Sequence, residues 1–242
     1  MARAVALLPP IYYKLSQSSV YAYFSEIAKH SPIDVTLYNI PLFCPPIEVA
    51  TIKCLASEHT NMVGMKDSSG DISYLARIIA AVRPNRPEFV ILSGWKAALA
   101  PVMLLGVNGG THCSSGAVPE LTRRLYDLCV ARRWDEAVHL QVRLIEFFDV
   151  MLFTADFPEE LRAAVELRGI KLGRSRQPSD FDRAKLTESL QCVMSDFGLT
   201  DTPSTCEPGS SGFAGEKIDL SRDLTLDVTS KVMEELKRRR LI

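Results

Sequence analysis

Met62-Val63-Gly64-Met65-Lys66-Asp67-Ser68-Ser69-Gly70-Asp71 decides how this chain is read. An apolar run reaches a lysine, and a polar turn containing glycine follows. A run that short reads as a buried strand feeding a loop. At such a junction the stem of Lys66 lies in an apolar wall and its amine faces a pocket. Desolvation disfavours an ammonium ion, which makes a nucleophilic free amine accessible near neutral pH. An enzyme that works through a Schiff base needs that chemistry. Most lysines at strand ends only reach solvent, so the junction alone leaves both readings open.

Outward from this stretch, strand and helix patterns alternate. Ala4 to Leu8 is an apolar run, and Ser18 to Lys29 has a helical face of Val20, Phe24, Ile27 and Ala28. Val35 to Tyr38 reads as a strand. Pro46 to Ser57 reads as a helix opened by Pro45-Pro46, with Val49, Ile52 and Leu55 inward. After Lys66 come a helix over Ile72 to Val82, a strand over Phe89 to Ser93, a helix over Lys96 to Leu105 and a strand over Gly110 to Ser114. Helical patterns then cover Pro119 to Arg132, Trp134 to Leu152, Pro158 to Val165 and Asp182 to Phe197, with a basic loop over Lys171 to Arg176. Alternation at this spacing predicts a parallel sheet with crossover helices. Five such units suit an open doubly wound sheet or part of a β/α barrel. No G-x-G-x-x-G follows a strand, which disfavours a dinucleotide fold.

The 242 residues suffice for one large domain, and a net charge of -1 gives no bulk attraction to nucleic acid or anionic membrane. No apolar run approaches the ~18 residues of a membrane span. Pro9-Pro10 cuts the first apolar stretch too short for a signal peptide. Six cysteines without a C-x-x-C pair fit free thiols in a reducing, cytoplasmic setting. The histidines His30, His59, His112 and His139 have no metal-ligand spacing, so no metal and no cofactor is expected.

Several strand ends, taken together, carry a resemblance. Pro10-Ile11-Tyr12-Tyr13 closes the first strand, Tyr38-Asn39-Ile40-Pro41 closes the next, and Lys66 closes the third, 28 positions on. Leu92-Ser93-Gly94 and Gly109-Gly110-Thr111 complete the series. Over roughly residues 3 to 198 the chain resembles the dihydrodipicolinate synthase / N-acetylneuraminate lyase family of class I aldolases, which are (β/α)8 TIM barrels. The resemblance implies that Lys66 forms a Schiff base with pyruvate or a related 2-oxo acid. It implies that Tyr38 shuttles the proton, and that Tyr13 completes the relay of a neighbouring subunit in a homo-oligomer. Gly94 and Thr111 are implied to shape the substrate pocket. In a barrel, such residues belong at the C-terminal ends of strands.

The chain departs from the family pattern in two places. Synthase members carry an arginine two residues after the segment that matches Tyr38 to Pro41, and it grips a dicarboxylic substrate. Leu42 and Phe43 stand there in this chain, and neither can make a bidentate carboxylate contact. The favoured reading is therefore a lyase or aldolase for a 2-keto-3-deoxy sugar acid or 4-hydroxy-2-oxoglutarate, taking a small 2-oxo acid and an aldehyde. A dihydrodipicolinate synthase proper is the alternative. The second departure is that the first three strand-helix units of the barrel, with the Gly-Thr-Thr-Gly-Glu type loop that cradles the 2-oxo acid carboxylate, have no counterpart. The five remaining units would leave two open sheet edges, which also admits a non-catalytic interaction protein.

Composition changes after residue 199. Residues 200–223 read as a Pro/Gly/Ser-rich linker, and residues 224–242 as an amphipathic helix with Val228, Val232, Met233 and Leu236 on its apolar stripe. This form resembles the peptides that dock enzymes to the shell of bacterial microcompartments. Lys237-Arg238-Arg239-Arg240 is read as solvating the helix end rather than as binding nucleic acid or membrane.

Overall fold

Burial alternates along five short segments, and this sets the sheet. The computed structural model describes residues 2–200 other than Thr154, Asp156, Arg174, Gln177 and Ser179. These residues fall in the first of two units, Met1–Pro203; the second, Ser204–Ile242, lies outside the described residues. The expected helix over 224–242 therefore lies outside them, as does the expected linker apart from Thr200.

The strands are β1 (Ala4–Leu7), β2 (Asp34–Asn39), β3 (Met62–Asp67), β4 (Val90–Ser93) and β5 (Gly109–Gly110). They form one parallel sheet in sequence order, with β1 and β5 at its edges. Parallel neighbours need a crossover, and helices supply each one. These are α1 (Gln17–His30), α2 (Val49–Glu58), α3 (Ile72–Val82) and α4 (Leu99–Leu104). The arrangement is part of a (β/α)8 barrel, as the five-unit reading expects.

One face of the sheet is covered by these helices. Val35, Leu37, Met62, Met65 and Ile91 pack there with Val20, Phe24, Ile52, Leu55, Leu75 and Ile78. On the opposite face Thr36, Tyr38, Lys66 and Leu92 are half-buried, and Ala4, Ala6 and Val90 are exposed. A second core is mostly helical. It is built on α5 (Pro119–Val130), α6 (Trp134–Phe153), α7 (Glu159–Leu167) and α8 (Arg183–Ser195). The cores meet at α4, whose Val102 belongs to the first and whose Leu99 and Ala100 belong to the second. Gln141 of α6 ties them further, donating to Lys96 O and accepting from Ala100 N, each at 3.1 Å.

Local chemistry explains most helix starts. Asp71 caps α3 by accepting from Tyr74 N at 2.9 Å, Asp182 caps α8, and Pro119 opens α5. The start of α2 differs from expectation. Pro45 to Glu48 stays outside the helix because distant side chains hold its polar groups. Gln17 donates to Pro46 O and accepts from Glu48 N, and Asn39 Oδ1 accepts from Ile47 N. The expected strand over Gly110 to Ser114 is also corrected. β5 ends at Gly110, and a 3-10 turn over Cys113–Gly116 takes the next residues through local bonds such as Ser115 N to His112 O. Likewise β1 ends at Leu7, so the tyrosines at 12 and 13 follow it in a loop.

The pairing of β2 with β3 shifts register between Val35 and Thr36. Val35 lies opposite Met62, whereas Thr36 lies opposite Gly64, so Val63 is an extra residue. The shift breaks strict alternation. Met62 and Met65 both face the helices although they are three residues apart, and Lys66 turns to the other face. Gly64 allows the strand to approach β4 closely: a Cβ there would lie 2.5 Å from Val90 O. Gly64→Ala is expected to cost about 1–3 kcal/mol by overpacking, measured as a lower urea midpoint with an unchanged slope.

Candidate active site

Tyr38 and Lys66 are direct partners across β2 and β3. Both sit at the C-terminal ends of their strands and on the same open face. The Lys66 amine lies over the Tyr38 ring, with Nζ 4.2 Å from the centroid. That is a cation–π distance, and it holds the amine beside the phenol. Ser68, in the loop after β3, donates its hydroxyl to the Tyr38 hydroxyl at 3.4 Å. Gly94 follows β4 and borders the lysine directly. A Cβ at Gly94 would lie 1.9 Å from Ser68 Oγ and 2.8 Å from Lys66 Cε. Glycine at this position leaves the space that the lysine stem and the serine occupy.

For the other two expected site residues, no hydrogen bond or ring contact with this group is seen among the described residues. Tyr13 is six residues beyond β1, 64% exposed, and packs edge-on against Tyr12 with centroids 5.8 Å apart. Thr111 extends the pairing of β5 by one bond, from its N–H to Ser93 O, and its side chain is exposed. Lys66, Tyr38 and Gly94 thus come together with Ser68.

Beneath this group, on the helix-covered face, the next pair in register is Asn39 opposite Asp67. Both are about 1% exposed, and Asn39 Nδ2 donates to Asp67 Oδ1 at 2.7 Å. Ser69 Oγ donates to Asp67 Oδ2 at 2.8 Å. Burial pushes the Asp67 carboxyl above its ordinary value, while these hydrogen bonds pull it back.

A second polar group was not singled out in the sequence. Lys96 is buried, its amine has no hydrogen-bond partner among the described residues, and Nζ lies 5.0 Å from the centroid of Phe148. Burial favours its neutral form, against the pull of Cys113, Glu160 and Asp149. His112 is buried as well, with Nε2 unpartnered, and its ring lies against Gly110. The signal available in the sequence was position: each residue closely follows a strand end, where barrel sites are built. Among the described residues no group of three or more His, Cys, Asp or Glu is placed to hold a metal ion. No described helix is long and apolar enough to cross a membrane. Cys44, Cys54, Cys113 and Cys129 form no disulfide.

Burial, then the charges of Lys66 and Lys96, lower the pKa of His112 from 6.5 to about 4. The unfolded chain therefore takes up this proton at a higher pH than the folded one. The stability that the neutral imidazole contributes is intact above pH 6.5 and is lost as pH falls toward 4. Between those limits the wild type should lose about 3 kcal/mol more than His112→Gln. Denaturant midpoints at neutral and acidic pH measure the difference.

Residues 2–194 match the dihydrodipicolinate synthetase family. An uncharacterized DapA-like lyase of Thermococcus onnurineus is 27% identical over 191 residues, covering 78% of this chain and 65% of the relative. A 4-hydroxy-tetrahydrodipicolinate synthase of Methanosphaerula palustris is 31% identical, over 81% of this chain and 66% of the relative. The chain thus spans about 65% of the length of such relatives. Among solved structures, YagE from E. coli K12, a prophage protein of the dihydrodipicolinic acid synthase family in complex with pyruvate, superposes with a TM-score of 0.72 at 25% identity. That match covers 79% of this chain and 66% of YagE. A dihydrodipicolinate synthase from Thermotoga maritima shares the fold, with a TM-score of 0.76 at 22% identity, over 82% of this chain and 67% of its own. With a match over residues 2–194 and a shared barrel architecture, the chain belongs to the dihydrodipicolinate synthetase family.

Proposed function

We propose that this protein is a Schiff-base lyase or aldolase, with Lys66 as the nucleophile toward pyruvate or a related 2-oxo acid. The observation that carries the reading is the Lys66 amine held 4.2 Å from the Tyr38 ring centroid at paired strand ends. In the proposed reaction the amine adds to the ketone carbon and water leaves. The resulting iminium withdraws electrons, so the neighbouring carbon releases a proton and an enamine forms. The enamine attacks an aldehyde, or is released when a carbon–carbon bond breaks in the lyase direction. Tyr38, with its hydroxyl accepting from Ser68, suits the proton shuttle. Family membership supports the same chemistry.

For the substrate, a 2-keto-3-deoxy sugar acid or 4-hydroxy-2-oxoglutarate is favoured. Leu42 and Phe43 are 80% and 54% exposed after β2, where a synthase would offer an arginine to a dicarboxylate. A second reading, dihydrodipicolinate synthase proper, is favoured by the 31% identity to a relative of that name. Tyr13, exposed in its loop, suits a contribution to a neighbouring copy in a homo-oligomer. Thr111, exposed just after β5, suits contact with the 2-oxo acid.

Borohydride reduction in the presence of pyruvate should leave a covalent adduct on Lys66, located by peptide mass spectrometry. Folded protein without an adduct would remove the proposal. Tyr38→Phe should keep the adduct yet slow exchange of the pyruvate methyl protons with deuterium by roughly 10²-fold or more, followed by NMR.

A further inference from the structure

We infer that Asn39 and Asp67 are positioning residues, which set the distance between the Lys66 amine and the Tyr38 phenol from the opposite face of the sheet. The inference deepens the aldolase reading, and part of its test is independent of that reading.

The argument begins with register. Tyr38 and Lys66 are opposite one another, and Asn39 and Asp67 are the next opposed pair. Side chains alternate across a strand, so the second pair lies directly behind the first. The amide and the carboxylate join at 2.7 Å, both about 1% exposed. This contact is a buried side-chain hydrogen bond between the two strands. It sits one residue from each reactive group, where a change in strand separation or tilt transfers directly to them.

The remaining polar atoms of the pair are tied to the loops that frame the site. Asn39 Oδ1 accepts from Ile47 N at 3.0 Å, and Ile47 O accepts from the Tyr74 hydroxyl of α3. Asp67 Oδ2 accepts from Ser69 Oγ, which in turn accepts from Asp71 N at 3.1 Å. Asp67 thereby shapes the turn that presents Ser68 to Tyr38. Main-chain bonds close the frame: Ser68 N donates to Asn39 O at 2.8 Å, and Gly94 N donates to Asp67 O at 2.6 Å. The Asp67 carboxylate therefore joins the ends of β2 and β3 and the turn after β3, and the main-chain carbonyl of the same residue holds Gly94 after β4.

A carboxylate is a costly choice at a buried site. An apolar pair of similar volume would serve cohesion at least as well. What the polar pair adds is direction, because a hydrogen bond weakens steeply when its angle or length changes. Directional constraint matters most where two reactive groups must stay in near-attack geometry.

The test compares wild type with Asn39→Ala, Asp67→Ala, Asp67→Asn and Ser69→Ala. Two rates are followed by peptide mass spectrometry in each: acetylation of Lys66 by acetic anhydride across neutral to alkaline pH, and reductive trapping of pyruvate on Lys66. A positioning role predicts that Asn39→Ala and Asp67→Ala each change the shape of the Lys66 acetylation profile and slow trapping about tenfold or more, and that Ser69→Ala shifts both in the same direction by less. Asp67→Asn keeps an oxygen for the Asn39 amide and should recover most of both. Ser69→Ala removes only the outer contact, and it carries the test if the core alanine variants do not fold. Acetylation profiles that coincide with wild type, while only the thermal midpoint falls, would show that the pair is merely structural and overturn the inference. If wild type gives no pyruvate adduct, the aldolase reading fails, and the acetylation profiles alone decide the positioning role.

Discussion

The pairing of β2 with β3 is the constraint on which the rest of the structure depends. Val63 is an extra residue in that ladder, and everything C-terminal to it in β3 changes face. Met65 then joins the helix-covered core, and Lys66 emerges beside Tyr38. In an unbroken ladder Met65 would oppose Tyr38 and the lysine would point into the helices. There its ammonium would be buried among apolar side chains at a cost of several kcal/mol. Gly64 makes the shift sterically feasible, because the backbone of Val90 lies where a Cβ would be.

The two faces of the sheet treat polar groups differently, and each arrangement has its own energetic logic. On the helix side Asp67 is surrounded by donors from Asn39 and Ser69, so the cost of its burial is partly offset. In the turns after β4 and β5, Lys96 Nζ and His112 Nε2 are buried without hydrogen-bond partners among the described residues. Both groups respond in the direction that burial dictates, toward the neutral form. Both lysine charges, of Lys66 and Lys96, also disfavour a proton on His112.

Much of the architecture was legible in the sequence because its signals are local. The bounds of α3 follow from an apolar stripe and from Asp71 at the N-cap. The apolar runs at Val35 and Met62 fall in strands because they are short, branched or bulky, and bounded by polar turns. The misplaced boundaries have a common cause. At α2, Pro45-Pro46 reads as a helix start, but Gln17 and Asn39 engage the following backbone from 29 and 8 residues away. At β5, the Gly-Gly-Thr run reads as strand, but the chain turns into 3-10 bonds once Thr111 has made its last contact to β4. Of the candidate site, Lys66 and Tyr38 were visible as strand-end residues. Lys96 and His112 were not, since nothing local marks a lysine or a histidine as buried.

By itself the sequence determined the order of elements, their approximate extents, the parallel sheet and the candidacy of Lys66. Periodicity, capping and turn chemistry act over a few residues and can be read in one dimension. Tertiary structure alone decided which face Lys66 occupies, that its amine lies on the Tyr38 ring, and that Asn39 and Asp67 join behind it. Those outcomes depend on register between strands 28 residues apart, and a single extra residue in one strand exchanges inside for outside.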